Sequence, residues 1–162
     1  MLQIKTYIYA PFGPKQAAQK IPIDDIDALK RAAPYMDLMK LEGYIDLSYY
    51  GTPIMDDSLT DLIFFTWDEM LRAIRSVVET GRGCVGFWWD VKAICLKQTN
   101  PRFLLLKVSG KGWLLPKDEL LTVLVDGAIQ FFQGMFSVFS RYKRDYEACL
   151  QLKEWLIRER HI

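Results

Sequence analysis

The sequence predicts an α+β fold in which a mostly antiparallel sheet packs against long amphipathic helices. Three observations lead there. Short β-rich segments lie close enough to pair as hairpins, with glycines between them. Two long segments repeat apolar residues at helical spacing. The order, finally, is strand, helix, strand, helix, several strands, helix, helix, which brackets hairpins with helices.

Residues 2–9, "LQIKTYIY", alternate and are rich in β-formers, so they read as a strand; "APFGP" breaks it. "DDIDALKRAA" is a helix with Asp24 or Asp25 as N-cap, ending near Pro34 because the residue before proline resists helical geometry. "MDLMKLE" continues as a second short helical piece. "GYIDLSYYG", residues 43–51, is a strand with Tyr44, Asp46, Ser48 and Tyr50 on one face and Ile45, Leu47 and Tyr49 on the core face. "TPIMDD" reads as a turn. A helix follows from about Ser58, with Leu59, Ile63, Trp67, Met70, Leu71, Ile74 and Val78 in its stripe and Gly81 or Gly83 at its end.

"CVGFWW" and "KAICLK" form a hairpin with Asp90 near its turn, and "RFLLLKVS" pairs with "GWLL" across "GKG". In the first hairpin Phe87 and Trp89 share one face, expected to be core, and Trp88 points the other way. A long helix runs from near Pro116, with Leu121, Leu124, Ala128, Phe132, Met135 and Phe139 on one stripe and Val123, Phe131 and Val138 widening it. A helix that apolar is deeply buried or shared with a partner. "YKRDYEACLQLKEWLIRER" closes the chain as an amphipathic helix.

The 162 residues read as one domain, 1–162, able to bury roughly two thirds of the surface the unfolded chain exposes. Aromatic residues make up 14%, which suggests a core built on large rings. A net charge of +1 argues against a general nucleic-acid binder. The charge is nonetheless segregated. Residues 21–69 carry eleven acids and three bases, whereas residues 70–117 carry nine bases and two acids. Cys84, Cys95 and Cys149, an odd number irregularly spaced, read as free and mostly buried thiols. With no apolar leader and no run long enough to span a membrane, the chain reads as cytoplasmic.

Catalytic equipment is sparse. The one histidine, His161, lies at a chain end expected to fray, which disfavours a nucleophile–histidine site. Asp24–Asp25 and Asp56–Asp57 sit where helix starts favour acids. The cysteines lack zinc-ligand spacing, and "GRGCVG" precedes a strand rather than opening a helix on a phosphate. No catalytic residue, metal or cofactor is predicted. Lys92, Lys97 and Lys107 take outward sheet positions.

Two segments carry a resemblance. "EGYIDLSYYGTPIMDDSLTDLIFFTWDEMLRAI", residues 42–74, joins a tyrosine-bearing strand through a short turn to a helix with acids at its start and a tryptophan within it. "LLLKVSGKGWLLPKDELLTVLVDGAIQFFQGMF", residues 104–136, is strand, turn, short strand and a helix opening with "KDELL". Together these resemble small bacterial α+β immunity proteins encoded beside polymorphic toxins. The resemblance implies a non-catalytic protein partnered by a toxin domain that it occludes. Many such proteins are strongly acidic and this one is near neutral, which would confine the toxin contact to the acidic region. The expected contact face is Asp56, Asp57, Asp61, Asp68 and Glu69, with Trp88 as anchor. Two alternatives are a small-molecule pocket lined by Trp67, Trp89 and Trp113, and a homodimer through helix 118–139.

Overall fold

The computed structural model describes residues 1–87 and 93–162. It is an α+β fold of two antiparallel sheets and four α-helices. The first sheet holds β1 (Leu2–Ala10), β2 (Gln19–Pro22), β3 (Glu42–Tyr49), β4 (Thr52–Met55) and β5 (Asp61–Leu62), ordered β2-β1-β3-β4 with β5 also on β3. The second is a meander of β6 (Arg82–Gly86), β7 (Ala93–Asn100), β8 (Phe103–Val108) and β9 (Lys111–Pro116). The helices are α1 (Ile26–Ala32), α2 (Ile63–Thr80), α3 (Lys117–Val138) and α4 (Lys143–Arg158).

Alternation does the sorting expected of it. Leu2, Thr6, Ile8 and Ala10 of β1 are buried, while Gln3 and Lys5 are exposed and Tyr7 and Tyr9 half-buried on the opposite face. On β3, Ile45 and Leu47 face the core and Tyr44, Asp46 and Ser48 face away, as read from the sequence. Asp25, rather than Asp24, caps α1, its Oδ1 accepting the Ala28 N–H at 3.1 Å. Gly81 ends α2 at φ 82°, donating its N–H to the Val77 carbonyl at 2.9 Å.

Three expectations are corrected. The helix expected from Ser58 begins at Ile63, because 57–59 is a 3-10 turn and Asp61–Leu62 pairs with Glu42–Gly43 as β5. "TPIM" is not a turn but β4, at the sheet edge, where Pro53 removes no needed donor. Cys84 and Cys95 are not free thiols. The β6–β7 register sets them opposite each other, Cα atoms 4.1 Å apart, and they form a disulfide; Cys149 alone is free, and it is buried.

Both sheets lean on the same helices. α2 lies on β6 and β7 and touches β3 and β5; α3 lies against β1 and reaches β8 and β9. One core cluster therefore draws from both sheets and all four helices. Trp67 and Phe131 are its largest fully buried rings, 6.4 Å apart. Phe87 packs against this core, as expected, whereas Trp88, Trp89, Asp90 and Lys92 lie outside the described residues.

Among the described residues, α3 is the one helix long and apolar enough to cross a membrane. Here it is a core helix, with ten buried residues and α1, α2, α4 and both sheets around it. That accounts for its apolar girth within one copy of the chain. α4 is pinned to it by Lys153 Nζ, 2.7 Å from Asp126 Oδ1.

Candidate functional site

The acidic residues singled out from the sequence do not form one line. Asp56 caps the 3-10 turn, accepting the Ser58 N–H at 2.9 Å, and Asp57 is exposed beside it. Asp61 is only 1% exposed, and its Oδ1 accepts the Leu62 N–H at 2.7 Å. It belongs to the expected contact face, but two-residue β5 turns it inward. Asp68 and Glu69 sit on α2 and share Arg72, at 2.9 and 3.4 Å. Such exposed pairs add little stability, about 0–1 kcal/mol, yet the guanidinium cancels part of the local negative charge. What stays together is Asp56 with Asp57, and Asp68 with Glu69 around Arg72. Trp88, the expected anchor, is among the residues not described.

The tryptophan-lined pocket is not built as expected either. Trp67 is 0% exposed inside the core, and its Nε1–H has no hydrogen-bond partner among the described residues. Trp113 is half-buried on β9, where it borders a shallow depression of about 150 Å³ with Asp56 and Lys111. Trp89 lies outside the described residues.

A different cluster stands out, on the face of the first sheet that no described helix covers. Tyr7 and Tyr44 are register partners across β1 and β3, their rings stacked at 5.0 Å and 20°. Tyr9 tilts against Tyr44 at 6.2 Å. Lys20 of β2 closes over the group with Nζ 5.0 Å from the Tyr7 centroid, and Lys5 approaches the same ring at 5.7 Å. Tyr44 is 5% exposed yet belongs to no part of the main core. Tyr7, Tyr9 and Lys20 lie against it.

The electrostatics of this cluster follow from that cover. Burial pushes the Tyr44 phenol above its ordinary value, against the pull of Lys20. In turn the Tyr44 phenol, by charge and by hydrogen bond, raises the Lys20 ammonium above its own ordinary value. The cluster sets three phenols beside two lysines, with Lys5 also 3.8 Å from Asp24. It can donate and accept hydrogen bonds and can offer ring faces. It holds no paired nucleophile and base. The signal in the sequence was the placement of Tyr7 and Tyr9 on the polar side of "LQIKTYIY", in phase with Tyr44 on the polar side of "GYIDLSYYG".

The outer face of the second sheet is different. The Cys84–Cys95 bridge lies beside Lys107, and Arg82 beside Lys97, in the next rows of the register. Leu114 is 57% exposed on the same face. A scan against protein-family models finds no match, and neither the curated proteins nor the solved structures contain a significant similarity to this chain.

Proposed function

We propose that this chain is a non-catalytic protein-binding domain and, in line with its resemblance to immunity proteins, that it neutralises a cognate bacterial toxin by occluding it. The observation that supports this reading is the tyrosine cluster on the open face of the first sheet. Tyrosine is enriched at protein interfaces because it offers a large, stiff, amphipathic surface. Here the rings already rest on one another, one pair stacked at 5.0 Å and one tilted at 6.2 Å, so they lose little further freedom on docking. Tyr7 and Tyr9 are the anchors, and Tyr44 is the ring beneath that fixes them. Asp57, Asp68 and Glu69 lie in the acidic half of the chain and speed encounter with a basic toxin domain.

The test is co-expression with the C-terminal domain of a large secreted protein encoded in the neighbouring reading frame. The wild-type chain should rescue growth and co-elute with that domain at one to one. Tyr7→Ala and Tyr9→Ala should each weaken the complex at least about tenfold, as centrally placed interface tyrosines do, with the melting temperature held as a check on folding. Absence of both rescue and complex would overturn the reading, and so would a complex indifferent to both tyrosines.

A further inference from the structure

A second surface has the chemistry of a small-ligand site, and it does not depend on the protein-binding reading. The turn after β7, the junction of β9 with α3 and the end of α4 enclose a cleft of about 550 Å³. That volume suits a small organic ligand. Its cationic walls are Arg102, Lys117 and Arg160, with His161 beside them, Asp118 is the one acidic side chain, and Phe103 supplies a flat apolar wall. His161 is not frayed. Its backbone N–H donates to the Leu156 carbonyl at 2.8 Å, and its ring lies 5.9 Å from that of Trp155. On the other side the Lys117 N–H donates to the Arg102 carbonyl at 2.8 Å, which ties α3 to the β7–β8 turn.

Lys117 Nζ stands 3.4 Å from His161 Nδ1. An ammonium can only donate, so Nδ1 of the neutral ring accepts and the ring proton sits on Nε2. Burial first, and the Lys117 charge second, lower the His161 pKa below its ordinary value, with Glu159 opposing. The imidazole is therefore neutral near pH 7 and presents an N–H. Arg102, Lys117 and Arg160 make no ion pair among the described residues. Apart from Asp118, then, the charged and imidazole side chains of this cleft only donate, and its side chains sum to two positive charges.

We propose that the cleft binds a small phosphomonoester, its phosphoryl group held by Arg102, Lys117, Arg160 and the His161 Nε2–H and its organic part resting on Phe103. A phosphomonoester is close to a dianion at pH 7, which matches the excess charge. Guanidinium forks grip tetrahedral oxyanions two oxygens at a time, which a lone lysine cannot do.

His161 is the chain's only histidine, so its ring resonances report on the cleft without overlap. The probes are phenyl phosphate, inorganic phosphate and benzoate, added to isotope-labelled protein. Phenyl phosphate should shift the His161 signals saturably, more tightly than inorganic phosphate. It should also raise the His161 titration midpoint, because a bound dianion favours imidazolium over the neighbouring Lys117, Arg102 and Arg160 charges. Arg102→Ala and Arg160→Ala, both at exposed positions, should each weaken binding about tenfold or more, the scale of one charged hydrogen bond. A non-saturating shift, binding that survives loss of both arginines, or benzoate binding as tightly as phenyl phosphate would overturn the proposal.

Discussion

Gly83 and Gly86 lie on the same strand and should respond to alanine in opposite directions. An added Cβ at Gly83 would intrude on the Ala73 carbonyl of α2, 2.8 Å from its carbon and 2.9 Å from the Ala73 Cα. Both are helix backbone atoms, held by the helix's own hydrogen bonds, so no side chain can swing aside. Overpacking that forces backbone movement costs about 3 kcal/mol, the upper end of the usual range. Alanine also restricts the unfolded chain, which returns about 0.5–1 kcal/mol. The net loss is about 2 kcal/mol, or a melting temperature lower by roughly 4–8 °C for a chain of this size. Gly86 is exposed, with nothing among the described residues within 4 Å of its added Cβ. There only the unfolded-state term acts, and melting should rise by roughly 1–3 °C. Thermal melts of the two variants, with urea midpoints as a second measure, decide it. If Gly83→Ala melts at or above Gly86→Ala, α2 does not seat on β6 at Ala73, and the packing described here is wrong.

The disulfide and the buried thiol make further predictions. Under denaturing, non-reducing conditions an Ellman assay should count one thiol per chain, and three after reduction. Ser at both Cys84 and Cys95 reopens a loop with a sequence separation of 11, and should lower stability by at most about 2–3 kcal/mol, read as a lower melting temperature that reductant no longer changes. Burial pushes the Cys149 thiol from 9.0 up to about 12, so the unfolded chain loses that proton first. Stability is therefore constant below about pH 9 on this account and falls as pH rises toward about 12. Tyr44 and Tyr142, both raised by burial, act in the same direction, and Cys149→Ala should flatten the decline without abolishing it.

The long helices and the hairpins were legible because their periodicities are local. What the sequence could not show depended on contacts between distant residues. Gln19–Pro22 has one buried residue and a proline, and becomes β2 only by pairing with Tyr7–Ala10. Leu59 is buried four residues before Ile63, which mimics a helical stripe, yet the chain between them turns and pairs as β5. Cys84 and Cys95 carried no spacing signal until the β6–β7 register set them face to face. Tyr44 was assigned to the outer face of its strand, but alternation says nothing about which partner stands opposite, and that partner is Tyr7. His161 looked frayed because sequence position cannot reveal a hydrogen bond to Leu156 or a neighbour 44 positions away at Lys117.

The charge segregation becomes meaningful once mapped on the fold. The acidic run, 21–69, supplies the end of β2, all of β3 to β5, α1 and the first turns of α2. The basic run, 70–117, supplies the second sheet and ends at Lys117, in the cleft. A molecule polarised this way steers anions toward the second sheet whether or not a specific site exists. Attraction of that kind is spread over many charges and is screened within about 8 Å at physiological salt. A site is not. Lys97→Gln with Lys107→Gln removes as much charge from the open face as Arg102→Ala with Arg160→Ala removes from the cleft. If the field alone holds phenyl phosphate, both pairs weaken it alike and 0.5 M salt abolishes it. If the cleft holds it, the arginine pair abolishes binding, and the lysine pair lowers affinity by less than about threefold, an effect that disappears with added salt.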